Sequence, residues 1–360
     1  MHAAERHQEI LDWLRERGTM RVSEMACTLN VSAITIRRDV DALSKRGLLT
    51  RVHGGAVLPE PRGRRTPAVV PDMSALIHGA GGRELVVGLL VPAADHDCPE
   101  IIKGAQEAAA ERGIRLTLGI SQHNPGQEHA QAQQMLDDGI NGLLITPCEP
   151  VAGNSWLTEL DIPCVLIERN VDDDEWDVDR VTTDHAHGAR VAVRHLAVYE
   201  PRAIALVLRD DSPHSAHLLA GYLEGLTAVG LPPDDAPVFR LPSPGADPGG
   251  RERLLAGFVE RVLKGDMGAM IVHNDHDAIV LLQRLRARGV EIPDAITMVA
   301  YDDEVAALAD VPLSAVAPPQ RAVGAAAVDL LVRRLVDPER PPHHVAILPK
   351  LTMRASSTRG

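Results

Sequence analysis

Arg37, Arg38, Lys45, Arg46 and Arg51 crowd into 15 residues of a chain whose formal net charge is -13. Neighbouring guanidinium groups suit phosphate oxygens and guanine edges. Much further along, polar residues recur where apolar runs end: Asp95, His96 and Asp97, then Glu168 and Arg169, then Asn274 and Asp275, then Asp302 and Asp303. Several carboxylates with one arginine and one carboxamide favour a ligand rich in hydroxyl or amino groups over a phosphorylated one. The chain contains no G-x-S-x-G, no Walker A sequence and no H-E-x-x-H, so enzymatic chemistry built on those motifs is not expected. His96, His214, His217 and His273 are irregularly spaced, and Cys27, Cys98, Cys148 and Cys164 form neither a C-x-x-C pair nor a disulfide framework. Reduced thiols, no metal and no cofactor are the expectation.

The basic cluster needs a helix to present it. In residues 6–18, His7, Ile10, Leu11 and Leu14 share one face, and Gly18 supplies a stop. Ser23 can cap a short second helix through Leu29, and Ser32 a third from Ala33 to Arg46. On that third helix Ala33, Ile36, Val40 and Leu43 form the buried stripe, which puts Ile34, Arg38 and Lys45 opposite, with Thr35 and Arg37 on the flanks. An isoleucine beside arginines fits a major groove, where it meets a thymine methyl. After Gly47, LLTRV and AVL flank His53-Gly54-Gly55, a hairpin whose glycines allow positive φ at the tip.

Those residues resemble a family. TIRRD followed by RVHGGA is similar to the DeoR-type winged helix-turn-helix over roughly residues 5 to 58. The resemblance implies operator contacts from Ser32, Thr35, Arg37 and Arg38, with Arg51, His53, Gly54 and Gly55 on the DNA backbone; Ile34 joins them from the helix reading.

Charge divides the chain. Residues through Arg65 carry +4 and the remainder -17, so a small basic domain at 1–58 is followed by a Pro-, Gly- and Arg-rich linker at 59–83 and a large acidic domain at 84–360. In the last of these, strand-like runs such as LVVGLLV, NGLLITP, RAIALVL and GAMIVHN alternate with helical segments in two similar series, the second beginning near Asp184. Such alternation predicts an α/β fold of two lobes, each a doubly wound parallel sheet, with ligands bound beyond the carboxyl ends of the strands.

The order VGLLVP, GINGLLITP, IPCVLIERN, VTTDHAHGARVAVRHL, GYLEGL, HNDHDAI, VEIPDAITMVAYDDE and PLSAVAPP resembles the LacI-type sensor, a type I periplasmic-binding-protein fold, over about residues 84 to 356. That resemblance implies that Asp184, Asn274, Asp275 and Asp302 face an interlobe cleft, that Arg169 is a ligand-binding arginine, and that the last helix and strand cross back between lobes. It has departures. Where sugar-binding relatives often place paired aromatics, this chain reads ADHDCPE, and Leu218 replaces a common arginine. With 2% aromatics, ring stacking on a pyranose has few candidates, Trp176 and Tyr301 being the nearest. Residues 59–83 do not resemble the hinge helix of LacI relatives, so coupling takes another route.

The expectation is a ligand-responsive DNA-binding transcriptional regulator, a repressor controlled by a small polar, carbohydrate-like effector, acting as a homodimer on double-stranded operator DNA. Without an apolar run of about 20 residues or a secretory core at MHAAERHQEI, it is expected in the cytoplasm and not in a membrane. The alternatives are a regulator with no small-molecule ligand, an enzyme, or a solute-binding receptor on the same fold.

Overall fold

A computed structural model describes residues 6–7, 9–11, 13, 19–21, 25–26, 28–29, 31–45, 49–52, 55–57, 84–93, 98–148, 155–169, 177–243 and 245–358. Contacts divide the chain into Met1–Asp72 and Met73–Gly360. His53, Gly54, the whole 59–83 segment, Asp95, His96, Asp97 and Trp176 lie outside the described residues.

In the first unit, helix α1 (Ala33–Lys45) starts where Ser32 Oγ accepts the Thr35 N–H at 3.1 Å. The cap satisfies one of the N–H groups that a helix start leaves without an intrahelical partner. Ile36, Val40 and Leu43 recur at helical spacing and pack with Ile10, Leu11, Met25, Leu29 and Leu49 into one small core. Asp39 is buried on the same helix and takes two hydrogen bonds from Arg6, at 2.6 and 3.1 Å, and one contact from His7 Nε2 at 2.9 Å. Burial by itself would raise the Asp39 carboxyl, but the Arg6 and His7 hydrogen bonds outweigh it and hold it below the usual carboxylate range. The wing is larger than the hairpin expected: β2 (Thr50–Val52) and β3 (Gly55–Val57) pair antiparallel, and β1 (Thr19–Arg21) pairs with the other edge of β3. A three-residue strand gives little hydrophobic signal by itself; pairing with an otherwise open edge stabilises it.

The second unit contains two six-stranded sheets. The first lobe has order β5-β4-β6-β7-β8-β14, parallel throughout, from β4 (Val86–Val91), β5 (Arg115–Ile120), β6 (Gly142–Ile145), β7 (Cys164–Ile167), β8 (Asp179–Thr183) and β14 (His344–Ile347). The second has order β10-β9-β11-β12-β13-β15, from β9 (Ile204–Arg209), β10 (Val238–Leu241), β11 (Ala269–Val272), β12 (Thr297–Tyr301), β13 (Ser314–Ala317) and β15 (Lys350–Thr352), with only β15 antiparallel. Runs such as GLLI, CVLI and AMIV are buried at every position because helices cover both faces. Those helices are α2 (Cys98–Ala110), α3 (Pro125–Asp137), α4 (Ser155–Thr158), α5 (His185–Ala197), α6 (Ser215–Ala228), α7 (Pro248–Leu263), α8 (Asp275–Ala287) and α9 (Gln320–Val336).

The chain passes between lobes from β8 to α5, from β13 to α9, and from β14 to β15. The return is held by close backbone packing. A β-carbon on Gly324 of α9 would stand 2.0 Å from the Ile101 carbonyl oxygen, and one on Gly104 of α2 would stand 1.9 Å from that of Arg321. Glycine at both crossing positions lets α2 and α9 touch main chain to main chain.

Candidate functional site

A cavity of about 320 Å³ opens beyond the carboxyl ends of the strands of both sheets, the place where open α/β sheets bind ligands. The first lobe contributes Thr146, Glu168 and Arg169; the second contributes Arg209, His214, His273, Asn274 and Asp302, among others. Arg209 ends β9 and the others follow strands, so the sheets position them at their carboxyl ends.

Glu168 and Arg169 emerge together after β7 and turn to different tasks. Glu168, at φ 51°, accepts the Thr183 hydroxyl at 2.6 Å and the Thr183 N–H at 3.0 Å, and its Oε2 lies 3.5 Å from His185 Nε2. Burial would raise this carboxyl, yet the His185 and Thr183 interactions outweigh burial and hold it below its usual range. His185 in turn shares a 2.9 Å hydrogen bond with the Tyr301 hydroxyl. Glu168, His185 and Tyr301 therefore link the first lobe, the first crossing and the second lobe. Arg169 instead donates from Nε to Pro147 O at 2.9 Å and from Nη1 to Glu168 O at 2.8 Å, and burial opposes its charge. Two carbonyls fix the guanidinium plane at the cavity wall.

On the opposite wall, Asn274 caps α8 by accepting the Asp277 N–H at 3.1 Å while still lining the cavity. Asp302, at φ 91°, is anchored by its own N–H to Val316 O at 2.9 Å. Two other carboxylates expected at the cleft are engaged elsewhere. Asp184 is absent from the described lining: its Oδ1 caps α5 by accepting the His187 N–H at 2.7 Å, and its Oδ2 lies 3.7 Å from Arg190. Asp275 is fully buried below the cavity, accepting the Val305 and Ala306 N–H groups at 2.8 and 3.0 Å. A short carboxylate at a helix start satisfies orphan N–H groups, and here that geometry turns it from the cleft.

The residues that sequence reasoning did not place in the site are Arg209, Asp211, Thr146 and the histidines. Arg209 ends β9 and Asp211 lies two residues beyond it, so their position at a strand's carboxyl end was the available signal. Tyr301, a candidate stacking ring, is buried beneath His185. Glu168, His185 and His214 bring donor atoms within 4.8 Å of one another. The two imidazoles stack at 3.9 Å with 24° between planes, while Glu168 is hydrogen-bonded to Thr183 and His185 to Tyr301. Burial foremost, then cationic neighbours, lowers His214, and the same causes push His273 down to about 3.

In the first unit, Ser32 and Arg38 are exposed and Thr35 is half-buried at the start of α1. Ser32 Oγ is 2.8 Å from Thr35 Oγ1 as well as capping the helix. Ile34 and Arg37 belong to α1, Arg51 to β2, and Gly55 opens β3.

Comparison with known proteins agrees with this two-part construction. Residues 6–62 match the model of the DeoR-like helix-turn-helix domain, and residues 193–357 that of the periplasmic binding protein-like domain. The chain carries both domains, and together they define a DNA-binding transcriptional regulator with a ligand-sensing body. Among its relatives, the arabinose metabolism transcriptional repressor of Geobacillus stearothermophilus is 25% identical over 346 residues, covering 91% of this chain and 89% of the relative. The lactose phosphotransferase system repressor of Lactococcus lactis subsp. lactis is 48% identical over 58 residues, 16% of this chain and 23% of the relative. A solved transcriptional regulator CelR–cellobiose complex shares the fold at TM-score 0.64, with 23% identity and 91% of each chain covered. No helix among the described residues is long and apolar enough to cross a membrane.

Proposed function

We propose that this regulator represses transcription from a cytoplasmic operator as a homodimer, and that a polyhydroxylated small molecule bound between the lobes sets its affinity for DNA. The observation that carries the reading is the cavity itself, with Arg169 from one lobe facing Asn274 and Asp302 from the other. A ligand that touches both walls favours one lobe arrangement, and it changes DNA affinity only through that differential binding. The names of the relatives that match over most of the chain, which refer to arabinose and cellobiose, support a carbohydrate. Dimerisation follows from the small reach of one winged helix, since two-fold proteins match two-fold operators. No catalytic step is assigned to the cavity.

Selection of an operator from random duplex DNA with the full-length protein, followed by a carbohydrate screen of operator affinity, tests this. Asp302→Ala is expected to abolish the response to an active compound while leaving ligand-free operator affinity within about 0.5 kcal/mol. A mutant that still responds at wild-type concentrations removes Asp302 from the site. A wild type whose melting temperature and operator affinity respond to no compound points to the regulator without an effector.

A further inference from the structure

The cavity walls carry cations in a specific arrangement. Arg169 is held by two backbone carbonyls, and among the described residues no carboxylate comes within ion-pair distance of it. The neighbouring Glu168 carboxylate turns instead to Thr183 and His185. Across the cavity, Arg209 brings its buried Nε within 3.7 Å of Asp277 and 3.9 Å of Asp211 without a hydrogen bond to either. Asp277 is already ion-paired with Arg251, so two guanidinium groups share one buried carboxylate. Helix α6, fourteen residues long, starts beside Arg209 with His214 at its cap position and no side-chain cap bond, leaving its positive end toward the cavity that His214 lines.

The imidazoles register the same field. After burial, the causes that lower His214 include the charge of Arg169, and those that lower His273 include the charge of Arg209. Arginines from opposite lobes thus act on one histidine cluster. Among the lining acids, Asp302 meets the cavity from the second lobe and Asp211 is mostly exposed. Two guanidinium groups on separate lobes repel as the lobes approach, and an anion between them reverses the sign of that interaction.

We propose that the effector carries an anionic group, a carboxylate or phosphate on a polyhydroxylated body, clamped between Arg169 of the first lobe and Arg209 of the second. The inference rests on reading the cavity as the effector site, and it adds a charge that the sequence alone did not favour. Asn274 and Asp302 are left to take hydroxyl groups of the body.

The test uses the full-length protein and matched sets: common pentoses and hexoses, their aldonates, and their sugar phosphates, with inorganic phosphate as the minimal anion. Calorimetric affinities are expected to favour at least one anionic member over its neutral parent by about tenfold or more. That preference should shrink as salt rises, be lost in Arg209→Gln and survive in part in Arg209→Lys. An aldonate that wins identifies a carboxylate; a sugar phosphate that wins, with inorganic phosphate binding weakly at the same site, identifies a phosphate. A neutral sugar that binds as tightly as its charged derivatives, with a salt-independent affinity, overturns the anion while leaving the effector site in place. Binding by no member of any set overturns both.

Discussion

Gly324→Ala tests the packing that carries the chain back into the first lobe. The new methyl group would stand 2.0 Å from Ile101 O and 2.9 Å from both Ile101 C and Ala105 N, all main-chain atoms of α2. No rotamer relieves such a clash; α2 and α9 must separate by about 1 Å, against a core that includes Ile101, Ala105, Val323, Ala327 and Val328. Overpacking of this kind costs about 3 kcal/mol at the upper end of the usual range, and alanine returns about 1 kcal/mol through helix propensity. The net expectation is a loss of about 2 kcal/mol, or roughly 3 °C in melting temperature for a unit of this size. Gly257→Ala is the control, because position 257 is exposed on α7 and a β-carbon there meets nothing within 4 Å. It should gain up to about 1 kcal/mol. Urea unfolding of both variants, followed by circular dichroism, separates the two effects. A Gly324→Ala protein as stable as wild type would refute the claim that glycine is required by the backbone contact.

Other perturbations follow from the same geometry. Arg38→Ala should weaken operator binding by about 1–3 kcal/mol and reduce the slope of log affinity against log salt by about one if Arg38 meets a phosphate; unchanged binding in a gel-shift titration removes it from the interface. Because Asp39 is held below its unfolded value, its contribution to the small unit is present above the unfolded pKa and lost as pH falls through the folded one. Asp39→Asn should therefore flatten the acid limb of the pH–stability curve recorded through operator binding, and an unaltered limb would count against the Arg6–His7 network. Glu168→Gln keeps the shape but removes the charge that accepts the Thr183 N–H and hydroxyl and faces His185, for an expected cost of about 1–3 kcal/mol at neutral pH. The sign is the same as for Asp39, so the difference between wild type and variant should shrink as pH falls through the depressed Glu168 value, and a constant difference across pH would show that charge is not what Glu168 contributes.

The sequence by itself determined the elements that depend on local periodicity. The stripe Ile36, Val40 and Leu43 predicts a helix and its buried face, and Ser32 marks its start, since capping and amphipathicity act within a few residues. Buried strands such as AMIV and GLLI are equally legible, because a strand covered on both faces must be apolar throughout. Only the tertiary structure decided which polar residues at strand ends remain for a ligand. Asp184, Asn274 and Asp275 look alike in sequence, all next to a helix start, yet Asp275 is consumed by the 305–306 backbone and Asp184 by its own helix and Arg190, while Asn274 stays in the cavity wall. The short strand β1 and the glycine contacts of α2 with α9 were hidden for a related reason. Their stability lies in partners 34 or more residues away, and pairing over such distances is fixed by the packing of whole elements, not by the residues that happen to meet.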